Sequence, residues 1–288
     1  VIKLPYKLLI YDIEMYLQLK ADIWRPGDQY VSHDQLDDAH MSDSIICIAY
    51  KWYGEKTTHI LTGDNMIQEF DAVVKQADVA LGKNSDRFDV KHINTQRMLQ
   101  KLPAFPEWTQ TAEDLEKQLR KHFAFPSQSL DYVSKLLGFG GKVKMIREDW
   151  RKITRLKQIN VFIKSVLFNK RQLEFISTHL LKRSVSTVLK EGTTALKKMI
   201  FYNKKDVKDT EAVLKRVLPY IQLRKNASAS QEGKGCITCG STKLLPTKII
   251  TAGKTRYQQF DCLEHKGYGG RATIKYDKSR HKVYGTMG

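Results

Sequence analysis

The chain of 288 residues is poor in cysteine, in acidic side chains and in long apolar runs, and each shortage excludes a class of protein. Four cysteines are too few for a disulfide scaffold of this length, so reduced thiols or a metal site fit better. No stretch approaches the roughly 18 uninterrupted apolar residues of a membrane span. The N-terminal VIKLPYKLLIYDIEM has basic residues and a short apolar run, but not the small-residue cleavage site of a signal peptide. It also starts without Met, as a fragment or a processed chain does. No internal repeat is visible. An intracellular, cytoplasmic protein is the expectation. Acidic residues number 31 against 49 Lys and Arg, a formal net charge of +18 that predicts a polyanionic partner, most often nucleic acid. A hydrophobic share of 41% argues against wholesale disorder, and the length suits about two domains.

The charge is unevenly spread. Residues 1–141 carry a net −4, residues 142–190 +10, residues 191–224 +4 and residues 225–288 +8. A mildly acidic region joined to basic ones suggests carboxylates for metal and Lys/Arg for phosphate. The alternative is that Lys-rich faces serve only solubility.

Lys7–Tyr11 is a short apolar run that ends at Asp12 and reads as a buried strand, and Ser44–Tyr53 reads as a second strand. Gly54-Glu55 is a turn, with Thr57–Leu61 as the returning arm. Asn65–Ala77 has helical spacing, Val79–Leu81 is a short strand, and Phe88–Leu102 and Ala112–Phe123 read as helical. Ser129 is placed to cap a helix through Leu137 that Gly138, Gly140 and Gly141 end. Leu196–Ile221 is a long helical pattern. Early strands followed by alternating helices indicate an α/β domain. The basic segment 155–190, with Ile159, Phe162, Ile163, Val166 and Leu167, reads as one or two amphipathic helices. They serve either as a basic clamp over substrate or as an insertion packing its apolar face on the core. Polar, small-residue Asn226–Gly235 reads as a linker.

Asp12 and Glu14 lie two apart on a strand, so alternation puts both carboxylates on one face. Buried like charges repel, and a divalent cation is the simplest remedy; Mg²⁺ and Mn²⁺ prefer oxygen ligands. Asn84-Ser85-Asp86-Arg87-Phe88-Asp89 follows the third strand and opens a helix. Tyr202 and Asp206 are four apart in a helical pattern and share a face.

In this order, D-I-E at 12–14, N-x-x-x-F-D at 84–89 and Y-x-x-x-D at 202–206 resemble the three motifs of the DEDD superfamily of 3′–5′ exonucleases. Tyr202 would make it the DEDDy subtype. The match resembles most the proofreading domain of family-B DNA polymerases and its stand-alone, partly phage-encoded relatives. Ser129–Tyr132 and Leu137–Lys142 are similar to the segment preceding the third motif. The basic stretch 155–190 is where such relatives tend to be shorter.

The resemblance covers roughly residues 6–222. It implies a ribonuclease H-like α/β fold, a mixed sheet flanked by helices, and single-stranded DNA as substrate in a bacterial or phage-infected cell. Two cations about 3.5–4 Å apart can activate water, neutralise the phosphoryl oxygens and assist the leaving 3′-oxygen. By resemblance, Asp12, Glu14 and Asp206 hold the metal carrying the nucleophilic water. Asp12 bridges to the second metal, which Asp89 assists. Tyr202 orients the water, because a phenol of reference pKa near 10 is a poor base at neutral pH. Asn84 fixes the loop or touches substrate. Phe88 is either core or a wedge against the terminal base. Asp86 and Asp209 are left out of the site, His92 reads as a surface residue, and Cys47 as a buried core thiol.

Cys236, Cys239, Cys262 and His265 have the spacing C-x2-C-x22-C-x2-H, with strands expected near Lys248–Thr251 and Arg256–Phe260. This resembles a zinc ribbon with a Cys3His site, whose metal supplies folding energy a small module lacks. His265 is the least secure ligand and His281 a distant substitute. Lys254, Arg256, Lys266, Arg271, Lys275, Lys278 and Arg280 interleave with Tyr257, Tyr268 and Tyr276, a mixture suited to phosphate contact and base stacking; protein docking is the alternative. The expectation is therefore an exonuclease domain over 1–224, a linker over 225–235 and a zinc ribbon over 236–288. Its cofactors would be two Mg²⁺ or Mn²⁺ and one Zn²⁺, and its partners nucleic acid and replication or repair proteins. The rivals are the same fold acting on RNA or structured ends, and a nucleic-acid-binding protein without activity.

Overall fold

The computed structural model describes residues 2, 4, 6–16, 45–104, 112–141, 143–164, 184–221, 223, 234–264, 266–276 and 282–287. Strand β1 (Leu8–Met15) is the centre of a five-stranded sheet. Leu8, Leu9, Ile10 and Tyr11 are all buried, as a strand covered on both faces requires. Strand β2 (Ile45–Trp52) pairs antiparallel with β1 on one side, and the short β3 (His59–Leu61) antiparallel with β2. On the other side β4 (Val79–Gly82) runs parallel to β1, and β5 (Ala112–Asp114) parallel to β4. The order β3-β2-β1-β4-β5 is a mixed sheet consistent with the ribonuclease H-like fold.

Helices cover both faces. Leu9, Tyr11 and Ile13 pack with Ile67, Phe70 and Val74 of α1 (Met66–Val74) and Ile93 of α2 (Asp89–Leu99). Leu8 and Ile10 pack on the opposite face against Val207, Val213, Leu214 and Val217. Those four belong to the long α6 (Val185–Val217), which a 3₁₀ turn (Leu218–Tyr220) ends at Pro219. Between α2 and α6 come α3 (Leu115–His122), α4 (Leu130–Leu136) and α5 (Arg147–Lys164). Ser129 caps α4 by accepting the N–H of Tyr132, and Gly138 and Gly140 follow with positive φ.

The first strand carries Asp12 and Glu14, running from Leu8 to Met15 because its pairing with β2 continues through Glu14. Two expectations need correction. Ala112–Phe123 is not all helix: Ala112, Glu113 and Asp114 pair with Ala80, Leu81 and Gly82 as an edge strand. A three-residue strand is too short to show alternation, and Asp114 then caps α3 by accepting the N–H of Glu116. The long helix starts at Val185 rather than Leu196, so the end of the basic segment belongs to it.

Within α5, Ile153, Leu156 and Ile159 are buried, and Ile153 joins Ile46, Cys47, Ala195 and Met199 in one cluster. Where it is described, the basic segment therefore packs an apolar face on the core. Residues 165–183, with Val166 and Leu167, lie outside the described residues, as do the side chains of Phe162 and Ile163. Helix α5 approaches α6 so closely that a Cβ on Gly192 would stand 2.5 Å from Leu156 Cβ.

A second, antiparallel sheet has the order β6-β7-β8-β9. Its strands are β6 (Leu244–Ala252), β7 (Thr255–Cys262), β8 (Gly267–Tyr276) and β9 (Lys282–Met287). The hairpin expected near 248–260 is β6 and β7, turning at Gly253 with φ 56°. Its core is small: Ile237, Phe260, Ala272 and Met287. Most of the expected linker, residues 224–233, lies outside the described residues. Among the described residues no helix is long and apolar enough to cross a membrane.

Candidate active site

Even-numbered residues of β1 face α6, so the strand that buries Leu8 and Ile10 against this helix presents Asp12 and Glu14 on the same side. Helix α6 buries Asn203, Asp206, Val207, Thr210, Val213, Leu214 and Val217, a stripe at three- and four-residue spacing. The stripe brings Asp206 to β1. Carboxylate oxygens of Asp12, Glu14 and Asp206 all lie within 4.8 Å of one another. Beside them the β1–β2 register slips: Glu14 pairs with Cys47 and Met15 with Ile45, leaving Ile46 as the extra residue of a bulge. Asp206 is buried, while Asp12 and Glu14 are half-buried and open to solvent. Three carboxylates at this separation repel, and hard oxygen donors on an open face suit Mg²⁺ or Mn²⁺. This trio can hold a metal.

Asp89 stands apart from the trio. It is 2% exposed at the start of α2, and its Oδ1 accepts the N–H of Ile13, the residue between Asp12 and Glu14. Burial chiefly, with the charge of Asp114 in addition, raises its pKa to about 7 against the opposing N–H groups of Ile13 and Asp89 itself and the charge of Lys83. The preceding loop is clamped from β5. Asp114 accepts the N–H groups of Asn84 at 2.9 Å and Asp86 at 3.3 Å while capping α3. Asn84 sits at φ 61°, a left-handed conformation that Asn tolerates better than most residues. Gly82 gives the turn its room, since a Cβ there would meet Ser85 Cβ at 2.6 Å. Phe88 is not core: it is 39% exposed, with its ring edge-on to half-buried His92 at 4.5 Å. As the N-cap of α2 it points out of the layer that Ile93 enters. Asp86 pairs with Lys117, and Asp209 with Lys205.

Tyr202 lies one turn before Asp206, half-buried, with Trp150 of α5 edge-on at 6.4 Å. Asn203 is fully buried and donates from Nδ2 to Asp12 Oδ2 at 2.7 Å. Its Oδ1 accepts from the Cys47 thiol at 3.6 Å. Cys47 is the buried thiol its apolar strand predicts; burial first, then the charges of Glu14 and Asp12, push its pKa well above the usual value. Sequence reading missed Asp114, Asn203 and Trp150. Asn203 sits inside the Y-x-x-x-D motif, between two residues that drew all the attention.

In the second sheet, the sulfur atoms of Cys236, Cys239 and Cys262 lie within 4.8 Å of one another, with Cys239 and Cys262 at 3.6 Å. No cysteine is in a disulfide. The knuckle is tight: the Thr238 N–H donates to Cys236 Sγ at 3.3 Å, and the Gly240 N–H to the Cys236 carbonyl at 2.9 Å. An N–H aimed at sulfur favours a thiolate, so this donor set fits a soft-ligand metal. His265 and His281 lie outside the described residues. Arg271 stacks over Tyr257 at 4.7 Å, so part of the interleaved basic and aromatic set meets across β7 and β8. Lys278, Arg280 and the side chain of Tyr276 lie outside the described residues.

No family model matches the chain, and no curated protein matches it. Among solved structures it is similar to the family B DNA polymerase from the hyperthermophilic archaeon Pyrobaculum calidifontis, at 16% identity and a TM-score of 0.42. That similarity covers 75% of this chain but 25% of the polymerase, so the chain spans about a quarter of that protein's length.

Proposed function

We propose that the chain is a metal-dependent 3′–5′ exonuclease that hydrolyses phosphodiester bonds of single-stranded DNA. The reading is supported above all by the meeting of Asp12, Glu14 and Asp206 within 4.8 Å, with Tyr202 one turn from Asp206. Asp12, Glu14 and Asp206 would hold a pair of Mg²⁺ or Mn²⁺ ions, with Asp89 assisting. When bound, such a pair supplies an activated water and charge neutralisation on the phosphoryl group. Tyr202 orients the attacking water through its phenol, a role that requires no proton removal. Asp114, accepting the Asn84 N–H, holds the loop from which Phe88 would offer an exposed ring to the terminal base.

Clustered negative charge weakens rather than strengthens the binding of a polyanion. A protein that only bound nucleic acid would gain nothing from this trio. In the second sheet, Cys236, Cys239 and Cys262 would hold one Zn²⁺ with His265, and the ribbon would add affinity for the strand.

A 5′-labelled single strand incubated with Mg²⁺ or Mn²⁺ tests the reading. The expected result is a descending ladder, abolished by EDTA and by Asp12→Ala. Binding without a ladder, unchanged by Asp12→Ala, supports the idle binding protein instead. Parallel DNA and RNA oligomers decide the sugar, and faster degradation of RNA would overturn the DNA assignment.

A further inference from the structure

Asp12 Oδ2 accepts the Nδ2 amide hydrogen of Asn203, and the Oδ1 of that amide accepts the Cys47 thiol. Three elements supply this chain: β1 the carboxylate, α6 the amide and β2 the thiol. Cys47 pairs across the strands with Glu14, so its side chain shares the face that carries the trio. Opposite Asp12 stands Ala49, fully buried, whose methyl group leaves room for α6 to bring Asn203 to the carboxylate. Asn203 and Cys47 are both 0% exposed, so the amide and the thiol are shielded from water, while the Asp12 end of the chain is only partly buried.

We propose that Asn203 is a positioning residue for the cation site, holding the Asp12 carboxylate in one orientation, and that Cys47 fixes which way the Asn203 amide faces. The inference rests on the trio being a cation site, as the proposed function holds.

A side-chain amide has two ends of similar shape, and reversing it would aim a carbonyl oxygen at a carboxylate. A thiol hydrogen beside the amide oxygen disfavours that reversal, which leaves the NH₂ facing Asp12. The donor is also neutral. A Lys or Arg in its place would cancel the charge that a cation needs; an amide orders the carboxylate and leaves its full charge available. This bond uses one of the roughly four lone-pair sites of an ionised carboxylate. Partners of this kind, one bond removed from the metal, commonly change affinity by about 10- to 100-fold when lost.

The test is Mn²⁺ titration of the zinc-loaded full chain, read from the electron paramagnetic resonance signal of free Mn²⁺, with melting temperatures in parallel. Asn203→Leu keeps the volume and removes the donor; about 10-fold or more weaker Mn²⁺ binding is expected. Asn203→Asp replaces the donor by a repelling oxygen and is expected to weaken binding likewise. Cys47→Ser keeps a donor hydrogen and should bind as the parent does, whereas Cys47→Ala should bind more weakly. A merely structural role for the pair predicts altered melting with Mn²⁺ affinity unchanged. A folded Asn203→Leu that binds Mn²⁺ like the parent overturns the proposal and leaves the nuclease reading intact. Should Asn203→Leu not fold, equal Mn²⁺ affinity in Cys47→Ala, Cys47→Ser and the parent overturns the orienting role. A parent chain that binds no Mn²⁺ removes the nuclease reading and this inference together.

Discussion

At the scale of one residue, Glu211 joins the start of the β2–β3 turn to α6 through a buried ion pair with Lys51. It accepts Lys51 Nζ, the N–H of Gly54 at 2.7 Å and Lys215 Nζ at 2.9 Å. The Lys51 and Glu211 side chains are only 5% and 6% exposed. Burial alone would raise the Glu211 pKa, but the Lys51 ammonium, the Gly54 N–H and Lys215 together hold it below its ordinary 4.5. A carboxyl depressed in the folded state stabilises fully above its unfolded pKa and loses that contribution as pH falls through the folded value. Stability should therefore fall with acidity below about pH 4.5, and Glu211→Gln should flatten that part of the profile. The same variant strands a buried ammonium, so a loss of about 3–5 kcal/mol at neutral pH is expected in urea unfolding. An unchanged midpoint would mean the pair is not desolvated. Asp12 and Glu14 were legible in the sequence because a period of two is a strong signal. Glu211 and Asn203 were not, because their partners lie 160 and 191 residues away and no local pattern encodes them.

Between elements, α5 fits closely against α6 at Gly192. An alanine Cβ there would lie 2.5 Å from Leu156 Cβ and 3.0 Å from the Lys152 carbonyl. Helix propensity alone favours Gly192→Ala by about 1 kcal/mol. Overpacking opposes it by about 1–3 kcal/mol, and a contact with a backbone oxygen yields less than one with a flexible tip. Net destabilisation is the expected outcome of chemical denaturation; a gain of about 1 kcal/mol would mean the helices stand further apart. Trp150 rides on α5 against Tyr202, so a loosened α5 should also lower turnover more than DNA binding. A second contact is Asp114, which caps α3 and holds the loop of Asn84 and Asp86. Asp114→Ala should exceed the about 0.5–2 kcal/mol of an ordinary lost cap. Helical apolar spacing made α1 readable, and the Ser129 cap with the glycines that follow made α4 so. Strand β5 was hidden because three residues carry no period, and the first turns of α6 because Ser186, Thr187, Gly192, Thr193 and Thr194, all weak helix formers, surround Val188 and Ala195.

For the whole molecule, the acidic site and the basic remainder divide the labour that the sequence charge map implies. The trio could hold cations, and on the proposed reading Lys and Arg elsewhere would meet phosphate. Removing residues 225–288, which carry a net +8, should weaken single-strand binding and flatten its dependence on salt. Among the described residues the apolar core cluster of the second sheet is Ile237, Phe260, Ala272 and Met287, a small core for four strands. Stripping zinc should therefore release amide exchange in β6–β9 while β1, β2 and β4 stay protected. Protection of all strands after chelation would show that the cysteine cluster is not a structural metal site. The most direct measurement of the central claim is anomalous diffraction from crystals soaked in Mn²⁺. One peak within about 2.0–2.3 Å of oxygens from Asp12, Glu14 and Asp206, with a second about 3.5–4 Å away, is the predicted result. Mn²⁺ bound elsewhere, with the three carboxylates bare at saturating metal, would contradict it.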